Sequence, residues 1–206
     1  AVPPPIQVLA PNAARARRCA MAVWPAPRLW VTTTPMPAPM MRKTTNSVAA
    51  MTGTIALQGG GPFDANDDLD RRLLAAAGAQ QVLVLPTADA FERPERLVAA
   101  AMNWGERLGG EVEALRVMRR GEAMEQSAAN VVRRAKAVYF VGDQPIHLRS
   151  VLKDTPLWDA LRDVLTNGGL VAASGGSAAA MCDPMVDPRG GAFTLGLGLV
   201  PNLALV

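Results

Sequence analysis

The chain has 206 residues, half of them hydrophobic and 19% charged, enough for one domain with a sizeable core or one domain plus a tail. Its net charge of +3 is unevenly placed: residues 1–50 hold six of the 21 basic groups (Arg15, Arg17, Arg18, Arg28, Arg42 and Lys43) and no acid, leaving 15 basic against 18 acidic groups in the body. The basic balance therefore argues for no nucleic-acid surface on the folded part. No apolar stretch reaches the roughly eighteen residues of a membrane span. Two cysteines, Cys19 and Cys182, make no disulfide framework, and a reducing, cytoplasmic setting is expected.

Residues 1–50 carry nine prolines, three of them consecutive at Pro3 to Pro5, and no steady periodicity. Prolines at 25, 27, 35, 37 and 39 rule out a helix or central strand there, and the uninterrupted apolar core of a secretory signal is missing. The segment reads as a disordered or non-native extension, with an Arg-bearing transit peptide as the other reading. Met51 opens the first strand signal, so 51–206 is taken as the functional domain.

From there the pattern alternates. Thr54 to Gln58 reads as a strand and runs into Gly59-Gly60-Gly61. Asn66 is placed to cap a helix whose first turn holds Asp67 and Asp68, whose buried stripe is Leu69, Leu73, Leu74 and Ala77, and which Gly78 stops. A second strand spans Gln81 to Leu85 and ends at Pro86-Thr87-Ala88. The next helix starts at Pro94, lines one face with Leu97, Val98, Ala101, Trp104 and Leu108, and ends at Gly109. A third strand is expected over Glu111 to Val117, a helix over Met124 to Arg134, and a fourth strand over Ala137 to Val141, closed by Gly142-Asp143-Gln144. Two short helices follow, the second from Pro156 behind an N-cap at Thr155. The fifth strand is Leu170 to Ala173.

Near-continuously apolar strands alternating with helices imply an α/β fold: a three-layer, doubly wound, mostly parallel sheet with helices on both faces. Ligands in such folds bind outside the carboxyl ends of the strands. Four loops should converge there: Gly59–Gly61, Pro86–Ala88, Gly142–Gln144 and Gly175–Ser177. Gly59-x-Gly61 begins like a dinucleotide fingerprint, but Asp64 stands at the third glycine's place and would repel a pyrophosphate. There is no Gly-Lys-Ser/Thr loop. With one histidine and no clustered cysteines, no metal site is expected either, and no cofactor.

The stretch Leu170 to Cys182 (Leu-Val-Ala-Ala-Ser-Gly-Gly-Ser-Ala-Ala-Ala-Met-Cys) runs from a buried strand through a glycine bend into an Ala-rich helix. A serine on such a bend stands clear of the strand, near backbone N–H groups able to stabilise an oxyanion. Ser177 is the candidate nucleophile, although Ala179 replaces the last glycine of the G-x-S-x-G pattern. A plain strand-to-helix turn with packing glycines accounts for the same residues, and a phosphate site at 175–178 is a third reading. Cys182 reads as a small apolar helix residue.

Taken together, Gly59-Gly60-Gly61, Leu85-Pro86-Thr87-Ala88, Phe140-Val141-Gly142-Asp143-Gln144, Gly175-Gly176-Ser177-Ala178-Ala179-Ala180 and Gly196-Leu197-Gly198-Leu199 occur in an order that resembles the cyanophycinase and dipeptidase E family of serine peptidases. The resemblance covers about residues 53 to 202. It implies a flavodoxin-like fold akin to the class I glutamine amidotransferase domain, with Ser177 as nucleophile and the N–H groups of Gly142 and Ala178 as oxyanion hole. Gly60, Gly61, Thr87, Asp143, Gln144 and Gly176 would lie beside a small peptide or amide substrate. A homodimer is a further expectation. The resemblance also implies a histidine base shortly after Gly196–Leu199, where this chain has Val200 to Val206, and an acid where it has Ala192 to Leu195.

Two histidine and carboxylate readings stay open. His147, three residues after Gln144, is either a substitute base or a partly exposed helix histidine. Asp143 is either a helix-start carboxylate or a substrate contact. Leu203 to Val206 read as strand-like, so the domain is expected to continue past Val206. The function expected is a serine-type peptidase or amide hydrolase, lacking its base here; the alternative is a non-catalytic small-molecule or peptide-binding module on the same fold.

Overall fold

The structure, a computed structural model, describes residues 51–59 and 61–206. The expected extension over 1–50 lies outside the described residues, as does Gly60. Five parallel strands form the central sheet: β1 (Thr54–Gln58), β2 (Gln81–Leu85), β3 (Glu111–Ala114), β4 (Ala137–Phe140) and β5 (Leu170–Ser174). Their spatial order is β1-β5-β4-β2-β3. The chain therefore lays β2 and β3 to one side, then returns past β2 to place β4 and β5 between β2 and β1. The reversal creates the kind of crevice in which doubly wound folds bind ligands.

Two-residue alternation along the strands sorts the core into two layers. Leu83, Leu85, Val138, Phe140, Val171 and Ala173 face one layer, while Val82, Val84, Ala137, Tyr139, Leu170 and Ala172 face the other. On the second face pack α1 (Asp67–Ala77) and α2 (Pro94–Leu108), through Leu73, Leu74 and Trp104. The first face receives α4 (Gln126–Arg134), α5 (Pro145–Leu152) and α6 (Pro156–Thr166), preceded by the short α3 (Arg120–Ala123). This three-layer parallel α/β arrangement is the one the alternating pattern implies.

Several boundaries moved. β3 stops at Ala114, not Val117, and the helix expected from Met124 begins at Gln126 as α4, with the unexpected short α3 ahead of it. The carboxylate of Glu122 accepts the N–H groups of Met118 (2.6 Å) and Arg119 (3.2 Å), capping α3. After Ser174 come α7 (Gly176–Met181) and four two-residue strands: β6 (Cys182–Asp183), β7 (Met185–Val186), β8 (Phe193–Thr194) and β9 (Val200–Pro201). β6 pairs with β9 and β7 with β8, folding the last residues back over α7. The strand expected over Leu203 to Val206 is not formed: Leu203 makes one antiparallel bridge to Asp183, and the rest is irregular. Cys182 is fully buried, but in β6 rather than in a helix, and burial pushes its thiol up.

Candidate functional site at the strand carboxyl ends

The bend after β5 decides the site. β5 is one residue longer than its apolar run, because Ser174 pairs in register with Gln58 of β1. The turn therefore falls on Gly175, whose backbone lies at φ 58°, ψ −133°. That conformation costs a side-chain-bearing residue of order 1–3 kcal/mol and is where an elbow presents its nucleophile. α7 begins at Gly176, and Ser177 is already its second residue.

The position of Ser177 thus differs from the expected one. The residue is fully buried, and its Oγ donates to the carbonyl of Gly142 at 2.9 Å, the same oxygen that accepts its backbone N–H at 2.9 Å. The hydroxyl is latched to the β4 loop rather than held up on the turn. Of the two expected oxyanion donors, the N–H of Ala178 is used inside α7, on the carbonyl of Gly175 at 3.0 Å. The amide following the elbow apex is Gly176's, and it donates to Asp143 Oδ1 at 3.2 Å. A Cβ built on Gly175 would collide with that same Asp143 oxygen. A carboxylate therefore fills the volume that an apex side chain would need.

The β4 loop is held as firmly. Gly142 has φ +114°, and a Cβ there would come within 2.7 Å of Asp89 Oδ1 and 2.9 Å of Ala88, so only glycine fits. Asp89 in turn accepts the N–H of Asp143 at 2.8 Å. Asp89 was not singled out in the sequence, yet it fixes the loop that carries Gly142 and Asp143.

The expected contact residues divide. Asp143, Gly175 and Gly176 line one cleft of about 480 Å³, together with Gly59 and the end of β1. Three of the four loops expected to converge do so. The fourth does not: Pro86–Ala88 tucks into a turn of 3-10 helix over Thr87–Asp89, and Thr87 is fully buried, away from the cleft. Gly61 and Gln144 are exposed outside its lining. His147 does not meet Ser177's hydroxyl, which is given to Gly142. The imidazole Nε2 lies 3.0 Å from the Met118 carbonyl, an acceptor that places the ring proton on Nε2, and the ring stacks edge-on against Phe91 at 4.7 Å. Among the described residues no group of three His, Cys, Asp or Glu side chains is arranged to hold a metal ion.

Beneath the cleft lies a polar cluster that the sequence reading missed. Asp70, 4% exposed, accepts from Gln58 Nε2 at 2.6 Å and from Trp104 Nε1 at 3.0 Å, while Tyr139 donates its hydroxyl to Gln58 Oε1 at 2.7 Å. Burial raises the Asp70 carboxyl above its ordinary value, against the two hydrogen bonds that lower it. Burial, then the Asp70 charge, also raise the Tyr139 phenol. The cluster ties α1 and α2 to the ends of β1 and β4. Asn66, expected to cap α1, instead donates to the Gly59 carbonyl at 3.1 Å and steadies the first loop.

A parallel, doubly wound domain with a strand–glycine-elbow–helix crossing at the carboxyl ends of its strands is the framework of an elbow-type hydrolase. Comparison with known proteins gives the family. The profile of peptidase family S51 matches residues 55–185, and the chain belongs to that family of serine peptidases. Among solved structures it is similar to a peptidase from an acI-B1 Actinobacterium, at 26% identity and a TM-score of 0.68, over 74% of this chain and 66% of that one. It also shares its fold with a putative peptidase E protein from Listeria monocytogenes EGD-e, at 21% identity and a TM-score of 0.51, over 63% of this chain and 62% of that one. The chain thus spans just under two thirds of the length of each. No curated protein sequence matches it.

Proposed function

We propose that this chain is a binding member of a serine-peptidase family: it takes a small peptide or amide in the cleft between β1, the β4 loop and α7, without forming an acyl-enzyme. The observation that carries this reading is the apex of the elbow, where Gly175 offers no side chain and Asp143 fills the space instead. Acyl transfer needs a nucleophile aimed at the substrate carbonyl and a base within hydrogen-bond reach. Ser177's proton is already donated to a carbonyl that cannot accept it as a base.

A second reading keeps hydrolysis. It rests on family membership and on Ser177 lying beside the β4 loop, and it requires the hydroxyl to leave Gly142 and to find a base. A fluorophosphonate probe separates the two. The binding reading expects no adduct at Ser177, together with a rise in melting temperature on adding dipeptides. An adduct lost in Ser177→Ala, or turnover of a dipeptide that this substitution removes, would overturn it.

A further inference from the structure

Resting on that reading, we infer that the cleft selects small peptides with a free amino terminus and an apolar first side chain, with Asp143 receiving the terminal ammonium. Its walls are apolar: Leu57 from β1, Ala178 and Ala179 from α7, Val186 from β7, and Pro188 and Leu205 beyond them. Among the described residues lining it, Asp143 carries the only charged side chain. One oxygen of Asp143 holds the Gly176 amide, and among the described residues the other, Oδ2, accepts no hydrogen bond. That carboxylate thus keeps an unused acceptor.

The surroundings make the preference one-sided. Asp89 adds a second carboxylate behind Asp143, on the N–H of that same residue. The cation next in sequence to the cleft, Arg189, is spent on Asp187, with bonds of 3.0 and 2.7 Å to its two oxygens. Gln58, the remaining polar side chain, is committed through both ends of its amide to Asp70 and Tyr139. An acidic ligand side chain would meet negative charge and no partner, at the cost of burying an unpaired carboxylate. An ammonium would gain a charge-assisted bond. On an amino-terminal residue the ammonium and side chain leave the same carbon, and this one cleft is lined by both a carboxylate and apolar side chains. A volume of about 480 Å³ suits a ligand of dipeptide size.

The test is calorimetric titration of the full chain with leucyl-alanine, N-acetyl-leucyl-alanine and aspartyl-alanine, with chromatography of the recovered peptide. Leucyl-alanine should bind, and either acetylation or the acidic side chain should weaken binding at least about tenfold. Asp143→Asn should erase the effect of acetylation, and Val186→Asp should weaken leucyl-alanine through the apolar wall. If Asp143→Asn fails to fold, as seen by circular dichroism, the wild-type comparison and Val186→Asp decide. Equal or tighter binding of the acetylated or aspartyl peptide would overturn this inference and leave the binding reading standing. Absence of binding by all three would overturn both. Hydrolysis of leucyl-alanine alone would overturn the non-catalytic reading and retain the selectivity.

Discussion

Single positions govern this site, and Ser177 is the clearest of them. Its burial makes a test independent of any substrate: a thiol at 177 should be alkylated at least about tenfold more slowly than one at Ala179, which lines the cleft on the same helix. Iodoacetamide labelling followed by peptide mass mapping measures the ratio, and equal rates would show that the 177 side chain reaches solvent. Asp70 supports a second prediction. Asp70→Ala orphans the Trp104 indole N–H and one end of Gln58, and each buried donor left unpaired costs about 1–3 kcal/mol, read as a fall in melting temperature. Because the folded carboxyl is raised, the native state holds its proton more tightly than the unfolded chain. Wild-type stability should therefore fall as pH rises from the ordinary carboxylate range through the raised value, a slope that Asp70→Asn removes. The sequence did contain the signal for Asp70. Positions 70, 73, 74 and 77 keep the i, i+3, i+4, i+7 spacing, whereas Leu69, taken for the stripe because it is apolar, is 38% exposed. Composition misled where periodicity was right.

Elements were legible where their ends carry chemistry of their own. α2 runs from Pro94 to a left-handed Gly109, and α6 starts behind Thr155, whose hydroxyl accepts the Trp158 N–H at 3.2 Å. Thr155→Ala should cost about 1 kcal/mol by removing that cap, measured by chemical denaturation. Legibility failed at β5, where two adjacent glycines gave no local reason to prefer one as the bend. Pairing with Gln58 extended the strand to Ser174 and moved the apex away from the serine. Long-range pairing of that kind leaves no mark in a single window of sequence. The helices also differ in anchorage. α6 buries six residues, including Leu157, Leu161 and Leu165, whereas Asp70 is the one fully buried residue of α1. Backbone amides of α1 should exchange with solvent well before those of α6, and equal protection would contradict the difference in burial.

Across the whole molecule, alternation along five strands builds two cores that share a single sheet. Phe140 serves one and its neighbour Tyr139 the other, so neither layer can loosen without disturbing β4. Phe140→Ala should therefore cost about 3–5 kcal/mol, with both layers melting in one transition by differential scanning calorimetry. The parallel α/β class was readable from the order of apolar runs and helices. The strand order β1-β5-β4-β2-β3 was not, since it is set by pairings between distant residues, such as Thr54 with Leu170. Three of the four expected loops meet because β1, β4 and β5 are adjacent in that order, and the loop after β2 falls outside because β2 lies beyond β4.

The shared volume of Gly175 and Asp143 bears on how such a site changes over time. A serine at 175 displaces Asp143 Oδ1 from the Gly176 amide, and a smaller residue at 143 frees the apex but also leaves that amide without its acceptor. Any side chain gained at the apex is therefore accommodated by the exposed Asp143 carboxylate swinging aside, so the two loops can exchange the same space by rotation of one side chain.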